Sequence, residues 1–260
     1  MKLLAFLDIL GFKDIVKYNS YGELRKIYQI FERSYKNAIS LHRYQLTSDG
    51  LIPGFENSHV EAIQISDSII LWAKNDSIRS YYDLIIIVRE LLFHGIYSGL
   101  PLRACIHYGE MEIEAKSYSK SSHITTNTLY GKGITTAYQN CENQVWSGGY
   151  ISKEAIDAYK TVHSSFHLQD REIEERIKQL TDFDNLPKRY FITPYSVPLK
   201  NNITSKEFCI NWVSYTKRKF SKTNVESAFR KFNKKVEDDN TKSKIMNTLQ
   251  FLDDCPIRII

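Results

Sequence analysis

Two aspartates stand where a carboxylate is out of keeping with its surroundings. Asp8 interrupts residues 3–10, a run that is otherwise apolar and suits a strand buried on both faces. An isolated carboxylate there is costly unless it is paired, hydrogen-bonded or bound to a cation. Taken alone, Asp8 could equally sit at the strand end and cap the turn at Gly11. Asp67 lies in the polar tip Ser66-Asp67-Ser68 between two β-rich arms, where an aspartate ordinarily serves the turn backbone. The combination carries more than either residue. Neighbouring strands lie about 4.8 Å apart, so a hairpin paired beside the first strand brings Asp67 next to Asp8, and two such carboxylates repel unless a divalent cation sits between them. That donor pair suits two-metal phosphoryl chemistry, in which carboxylates hold ions about 3.5–4 Å apart.

Other chemistries find little support. The four cysteines, Cys105, Cys141, Cys209 and Cys255, form no C-x-x-C pair, and the seven histidines show no ligand spacing, which leaves carboxylates as the metal ligands to consider. Lys132 between Gly131 and Gly133 lacks the full phosphate-loop spacing. Scattered reduced cysteines, no secretion-signal pattern and no apolar run of spanning length give the expectation of a cytoplasmic chain without a membrane span. The net charge of +5 is concentrated in residues 206–244, with eleven Lys and Arg against five Asp and Glu. Those charges are spread through helical patterns, which favours solvated helix faces, and no nucleic-acid partner is expected. Trp72, Trp146 and Trp212 read as core or interface residues.

The elements that must position the two aspartates follow from periodicity. A first strand ends at Gly11 and a helix occupies 23–42, followed by a Ser-, Gly- and Pro-rich loop over 47–58. A hairpin over 59–73 comes next, then a helix capped by Ser77 that ends near Gly95 or Gly99. A long strand spans 102–114, with Gly109 a bulge or close-approach point. A polar loop over 116–122, a short strand to Tyr130, a helix from Gly131 to Cys141, a strand at 150–152 and a helix from Lys153 complete the pattern. The fold class is α+β, a ferredoxin-like sheet with helices on one face over residues 1–159. Residues 160–260 form a mainly helical C-terminal extension, with helical patterns at 171–180, 224–233 and 241–252 around a strand at 189–197.

Five stretches in this order resemble class III nucleotide cyclases: Phe6-Leu7-Asp8-Ile9-Leu10-Gly11-Phe12; Ile65-Ser66-Asp67-Ser68-Ile69; the strand from Leu102 to Glu110 with Arg103, His107 and Gly109; Tyr130-Gly131-Lys132-Gly133-Ile134 with Ala137; and Gly149-Tyr150-Ile151-Ser152. The resemblance implies the class III cyclase sheet and a site holding two Mg²⁺ or Mn²⁺ ions. Asp8 and Asp67 would be the metal carboxylates, Ile9 would join them through its backbone, and Gly11 and Phe12 would meet the triphosphate. It further implies a head-to-tail homodimer with composite sites, in which one chain supplies Asp8 and Asp67 and the other the stretch from Thr128 to Gln139.

The departures from the family pattern are informative. Thr135 and Gln139 stand where the family has its ribose-orienting Asn and transition-state Arg, so that role is either lost or moved, with Lys132, Lys120 and Arg103 the candidates to replace it, of which Arg103 reads as structural. Ile63 and Thr128 occupy the purine-selecting positions, and purine recognition of the usual kind fails without that cation and carboxylate. The combination resembles the pyrimidine cyclases of bacterial Pycsar anti-phage systems, whose cyclic UMP or cyclic CMP activates a separate effector protein. An inactive nucleotide-binding regulator, a purine cyclase with a divergent pocket and a polymerase-like palm are the alternatives.

Overall fold

A computed structural model describes residues 1–48, 50–117, 125–164, 191–215 and 221–255. Strand β1 (Lys2–Ile9) is buried through Leu3–Leu7 on both faces, as its unbroken apolar run requires. Gly11, at φ 78°, turns the chain into α1 (Phe12–Tyr18). Helix α2 (Tyr21–Ile39) starts at a reciprocal cap, in which Ser20 accepts from the Glu23 N–H and Glu23 accepts from the Ser20 N–H. The expected loop at 47–58 contains part of a short ribbon, β2 (Tyr44–Thr47) with β3 (Gly50–Pro53), that the Ser, Gly and Pro content concealed.

Strands β4 (Val60–Ile65) and β5 (Ser68–Ala73) form the expected hairpin, and α3 (Ile78–Ser98) runs from the Ser77 cap to Gly99, left-handed at φ 91°. The expected long strand 102–114 is two elements. Strand β6 (Leu102–Gly109) stays in the main sheet, whereas β7 (Glu112–Ser117) leaves it to pair with β8 (Thr125–Tyr130). The break has a steric cause: a Cβ on Gly109 would lie 2.7 Å from the Gly133 Cα, and Glu110 O accepts the Gly133 N–H at 2.9 Å. Helix α4 (Lys132–Glu142), β9 (Gly149–Ile151) and α5 (Lys153–Ser164) follow.

The seven-stranded sheet has the order β4-β5-β1-β6-β9 and then two strands from the later segment, β11 (Ile203–Ile210) and β10 (Ile192–Leu199). Each of its first four strands runs antiparallel to its neighbours among them, in the split-βαβ arrangement, and β6 pairs with β9 in parallel. The α+β expectation therefore holds, but the expectation of helices on one face holds only in part. Tyr138 of α4 meets Phe6 edge-on at 5.3 Å, on the Asp8 side of the sheet, while Leu92 of α3 lies over Gly149, beside Ala104, on the opposite side. Two-sided burial of β1 and β6 demands both layers.

The boundary at 159/160 falls inside α5, and the later segment supplies strands to the same sheet as well as α6 (Lys222–Arg230) and α7 (Asp239–Asp254). Helix α7 docks through Phe251, fully buried, which meets Trp146 at 4.7 Å and Tyr195 at 4.9 Å. Burying such a ring stabilises by about 2–3 kcal/mol. Trp72, Trp146 and Trp212 are all core residues, as expected. Residues 171–180 and Lys120 lie outside the described residues.

Candidate functional site

The site begins with register. Asp8 pairs across the sheet with Ser68 of β5 on one side and Arg103 of β6 on the other. The β4–β5 turn is only two residues long, and Ser66 takes a left-handed conformation at φ 55° to make it. Asp67 is therefore held at the strand end, and the Ile9 N–H donates to Asp67 O at 3.2 Å. The two carboxylates are neighbours. The Asp8 carboxyl is held above the usual carboxylate range, first by burial; the Arg103 guanidinium pulls it down, and the adjacent Asp67 charge pushes it further up.

Arg103 is the present counter-charge. Its Nη2 and Nε donate to Asp8 Oδ2 at 2.7 and 3.1 Å, its Nη1 donates to Glu142 O at 2.9 Å, and its Nη2 also pairs with Glu142 Oε1. Lys200 pairs with the other oxygen of Glu142 at 3.5 Å. Lys244 of α7 faces the same cluster: burial and then the Arg103 charge hold its ammonium below the usual lysine range, opposed by Asp238 and Asp8. Arg103 is thus tied to the acidic cluster.

Tyr28 of α2, which the sequence does not single out, stands beside the Asp67 turn. Its ring meets Phe12 edge-on at 6.0 Å, and its hydroxyl is raised first by burial, with Ser66 lowering it and Asp67 raising it. Glu142, Lys200 and Lys244 were likewise not anticipated. The alternation of β6 could have pointed to Arg103 facing Asp8, but nothing local signals which later residues close around it.

No family model matches this chain, and no curated protein matches it. Solved structures similar to it include the adenylyl cyclase CyaB from P. aeruginosa, 14% identical with a TM-score of 0.45, covering 62% of this chain and 81% of that one. The guanylyl cyclase Cya2 is 11% identical with a TM-score of 0.46, covering 80% and 89%. The guanylate cyclase domain of RhGC from Catenaria anguillulae is 11% identical with a TM-score of 0.43, covering 81% and 95%.

The structure brings Asp8, Ile9, Gly11, Phe12 and Asp67 to one end of the sheet. The other sequence candidates lie elsewhere in the chain. Thr135 and Gln139 sit one turn apart on the exposed face of α4, Lys132 is exposed in its first turn, and Thr128 is exposed on β8 in the separate ribbon. Ile63 is half-buried in β4, opposite Ile70. Two carboxylates and a backbone carbonyl form a hard oxygen donor set of the kind Mg²⁺ and Mn²⁺ take. Among the described residues no group of three or more His, Cys, Asp and Glu is gathered as a metal site, so further ligands would have to come from substrate, water or backbone. A groove lined by Tyr195, Lys206, Glu207, Phe208, Asn247 and Asp254 includes neither aspartate. None of the four cysteines forms a disulfide, and no helix among the described residues is long and apolar enough to cross a membrane.

Proposed function

We propose that this chain is a nucleotide cyclase of the class III type that converts UTP or CTP to the 3′,5′-cyclic monophosphate and pyrophosphate. The observation that carries the reading is the seating of the Asp67 turn beside Asp8, through the Ile9 N–H to Asp67 O bond and the Asp8–Ser68 register. Asp8 and Asp67, with the Ile9 carbonyl, would hold two Mg²⁺ or Mn²⁺ ions. Such ions, when bound, activate the ribose 3′-hydroxyl and clamp the phosphates. The chain's own groups do the rest. Gly11 and Phe12 present backbone at the turn leaving β1, and Arg103, anchored on Glu142, balances the buried Asp8 charge.

The exposed Thr135 and Gln139 on α4, with Lys132 and Thr128, suit a site completed by a second copy of the chain, which is why a homodimer is part of the reading. The half-buried Ile63 and neutral Thr128 carry no charge to aim at a purine edge, which supports a pyrimidine substrate. Under this reading the product is a second messenger for an anti-phage effector protein. A second reading, a regulator that binds nucleotide without turnover, is favoured by the neutral amide of Gln139 on α4. Incubation with ATP, GTP, CTP and UTP plus Mn²⁺, with products resolved by mass, separates the two. Cyclic UMP or cyclic CMP supports the enzyme, and no cyclic product from any of the four supports the regulator.

A further inference from the structure

Residues 231–235, between α6 and α7, lie across the turn that leaves β1. Two consecutive left-handed residues, Phe232 and Asn233 at φ 63° and 58°, bend this strap onto α1. Asn233 Nδ2 donates to Tyr18 O and Asn19 Oδ1, Asn19 Nδ2 donates back to Phe232 O at 2.8 Å, and the Lys235 N–H donates to Asp14 Oδ2 at 3.0 Å. Lys234 completes the clasp. Its stem lies against Gly11, where a Cβ would come within 2.8 Å of Lys234 Cδ, and its Nζ donates to Gly99 O and Ala228 O, both at 2.7 Å. The Lys231 stem packs on Gly99.

The strap therefore joins two turns that flank the aspartate end of the sheet, the one after β1 at Gly11 and the one after α3 at Gly99. Those turns are already linked by the Leu10 N–H to Pro101 O bond at 2.9 Å. A lysine only 7% exposed whose ammonium serves two backbone carbonyls is spent on position, since it is withdrawn from solvent.

We propose that the strap at 231–235 sets the position of the metal-bearing end of β1, with Lys234 as its positioning residue, so that the C-terminal segment is a working part of the site. The inference rests on the reading of Asp8 and Asp67 as metal carboxylates. Removing a group that hydrogen-bonds a metal ligand typically changes metal affinity by about 10–100-fold; the strap reaches the ligands only through Gly11 and the backbone of β1, so the low end of that range is expected.

The test uses the full chain, with Lys234→Met, which keeps the stem and removes the donor, and Asn233→Ala, which loosens the strap without touching a buried charge. Lys222→Ala, in an exposed pair with Asp253, is the control. Amide exchange at Leu10 and Ile15 is read alongside Mn²⁺ affinity, with Mn²⁺ alone as the probe, and thermal unfolding reports whether each variant folds. The expected result is faster exchange at both amides and Mn²⁺ affinity about ten-fold weaker in the folded strap variants, with the control unchanged. If Lys234→Met does not fold, Asn233→Ala decides. Unchanged Mn²⁺ affinity, with or without faster exchange, overturns the inference while leaving the metal reading intact. Wild-type chain that binds no Mn²⁺ overturns the metal reading and the inference with it.

Discussion

Arg103 Nη2 sits 2.7 Å from Asp8 Oδ2, and both side chains are largely buried, at 9% and 16% exposure. The pair makes it tolerable for a central strand to carry a carboxylate. Removing one partner of a pair so placed leaves an uncompensated charge, which costs about 3–5 kcal/mol.

Arg103→Leu is accordingly expected to destabilise the chain by about 3 kcal/mol in urea unfolding. Mn²⁺ should restore part of that loss, because a cation that binds only the folded state takes over the role of the guanidinium. A variant whose stability does not change on addition of Mn²⁺ would argue against metal binding at Asp8.

The Asp8 carboxyl lies above the usual carboxylate range. The folded state then holds its proton over a window in which the unfolded state has lost it, so ionising Asp8 costs stability as pH rises through that window. Mn²⁺ binding should fail on acidification at a pH above the ordinary aspartate value, since protonation removes the ligand. Asp67→Asn deletes a charge that raises Asp8, and the Asp8 midpoint followed by carboxyl ¹³C NMR should move down. A midpoint unmoved by the substitution would mean that the two groups do not feel each other.

Burial, with the Lys231 charge acting in the same direction and Asp14 against it, brings Lys234 down to about 7. The sign is opposite to that of Asp8. Between about pH 7 and the ordinary lysine value the unfolded state binds the proton that the folded state lacks, so stability rises with pH across that window and is flat below it. The neutral amine still has two N–H groups for Gly99 O and Ala228 O, so the clasp survives deprotonation. Urea unfolding of wild type and Lys234→Met at pH 7 and pH ~9.5, a span inside the window lysine titration opens, should show a difference that widens toward the higher pH in favour of wild type.

Two glycine substitutions should differ in sign. Gly22, exposed in the first turn of α2 with nothing near its Cβ position, should tolerate alanine with a gain of up to about 1 kcal/mol. Gly133→Ala would set a methyl 2.8 Å from backbone atoms of Gly109 and Glu110, which cannot yield without parting α4 from β6. Thermal unfolding of the two variants checks the contrast.

The legible parts of this molecule were those in which one residue pattern dictates one environment. The apolar run around Asp8 and the polar tip at Asp67 gave two strands whose neighbourhood follows from pairing, and the Ser77 cap and Gly99 bounded α3. The β2–β3 ribbon was hidden because four-residue strands leave no periodicity to read. Strand β11 was missed because its middle, Thr204-Ser205-Lys206-Glu207, is an unbroken polar run that is exposed or half-buried, a weak pattern for a strand. The closure of Glu142, Lys200, Lys244 and the strap around the aspartate end of the sheet depends on contacts between residues far apart in the chain, which no local signal encodes.

The most direct test is turnover itself, with wild type and Asp67→Asn each incubated with all four nucleoside triphosphates and Mn²⁺, and products identified by mass. The expected result is a cyclic pyrimidine monophosphate and pyrophosphate from wild type, and loss of both in a variant that remains folded. Cyclic product at wild-type rate from Asp67→Asn would contradict the paired-carboxylate account.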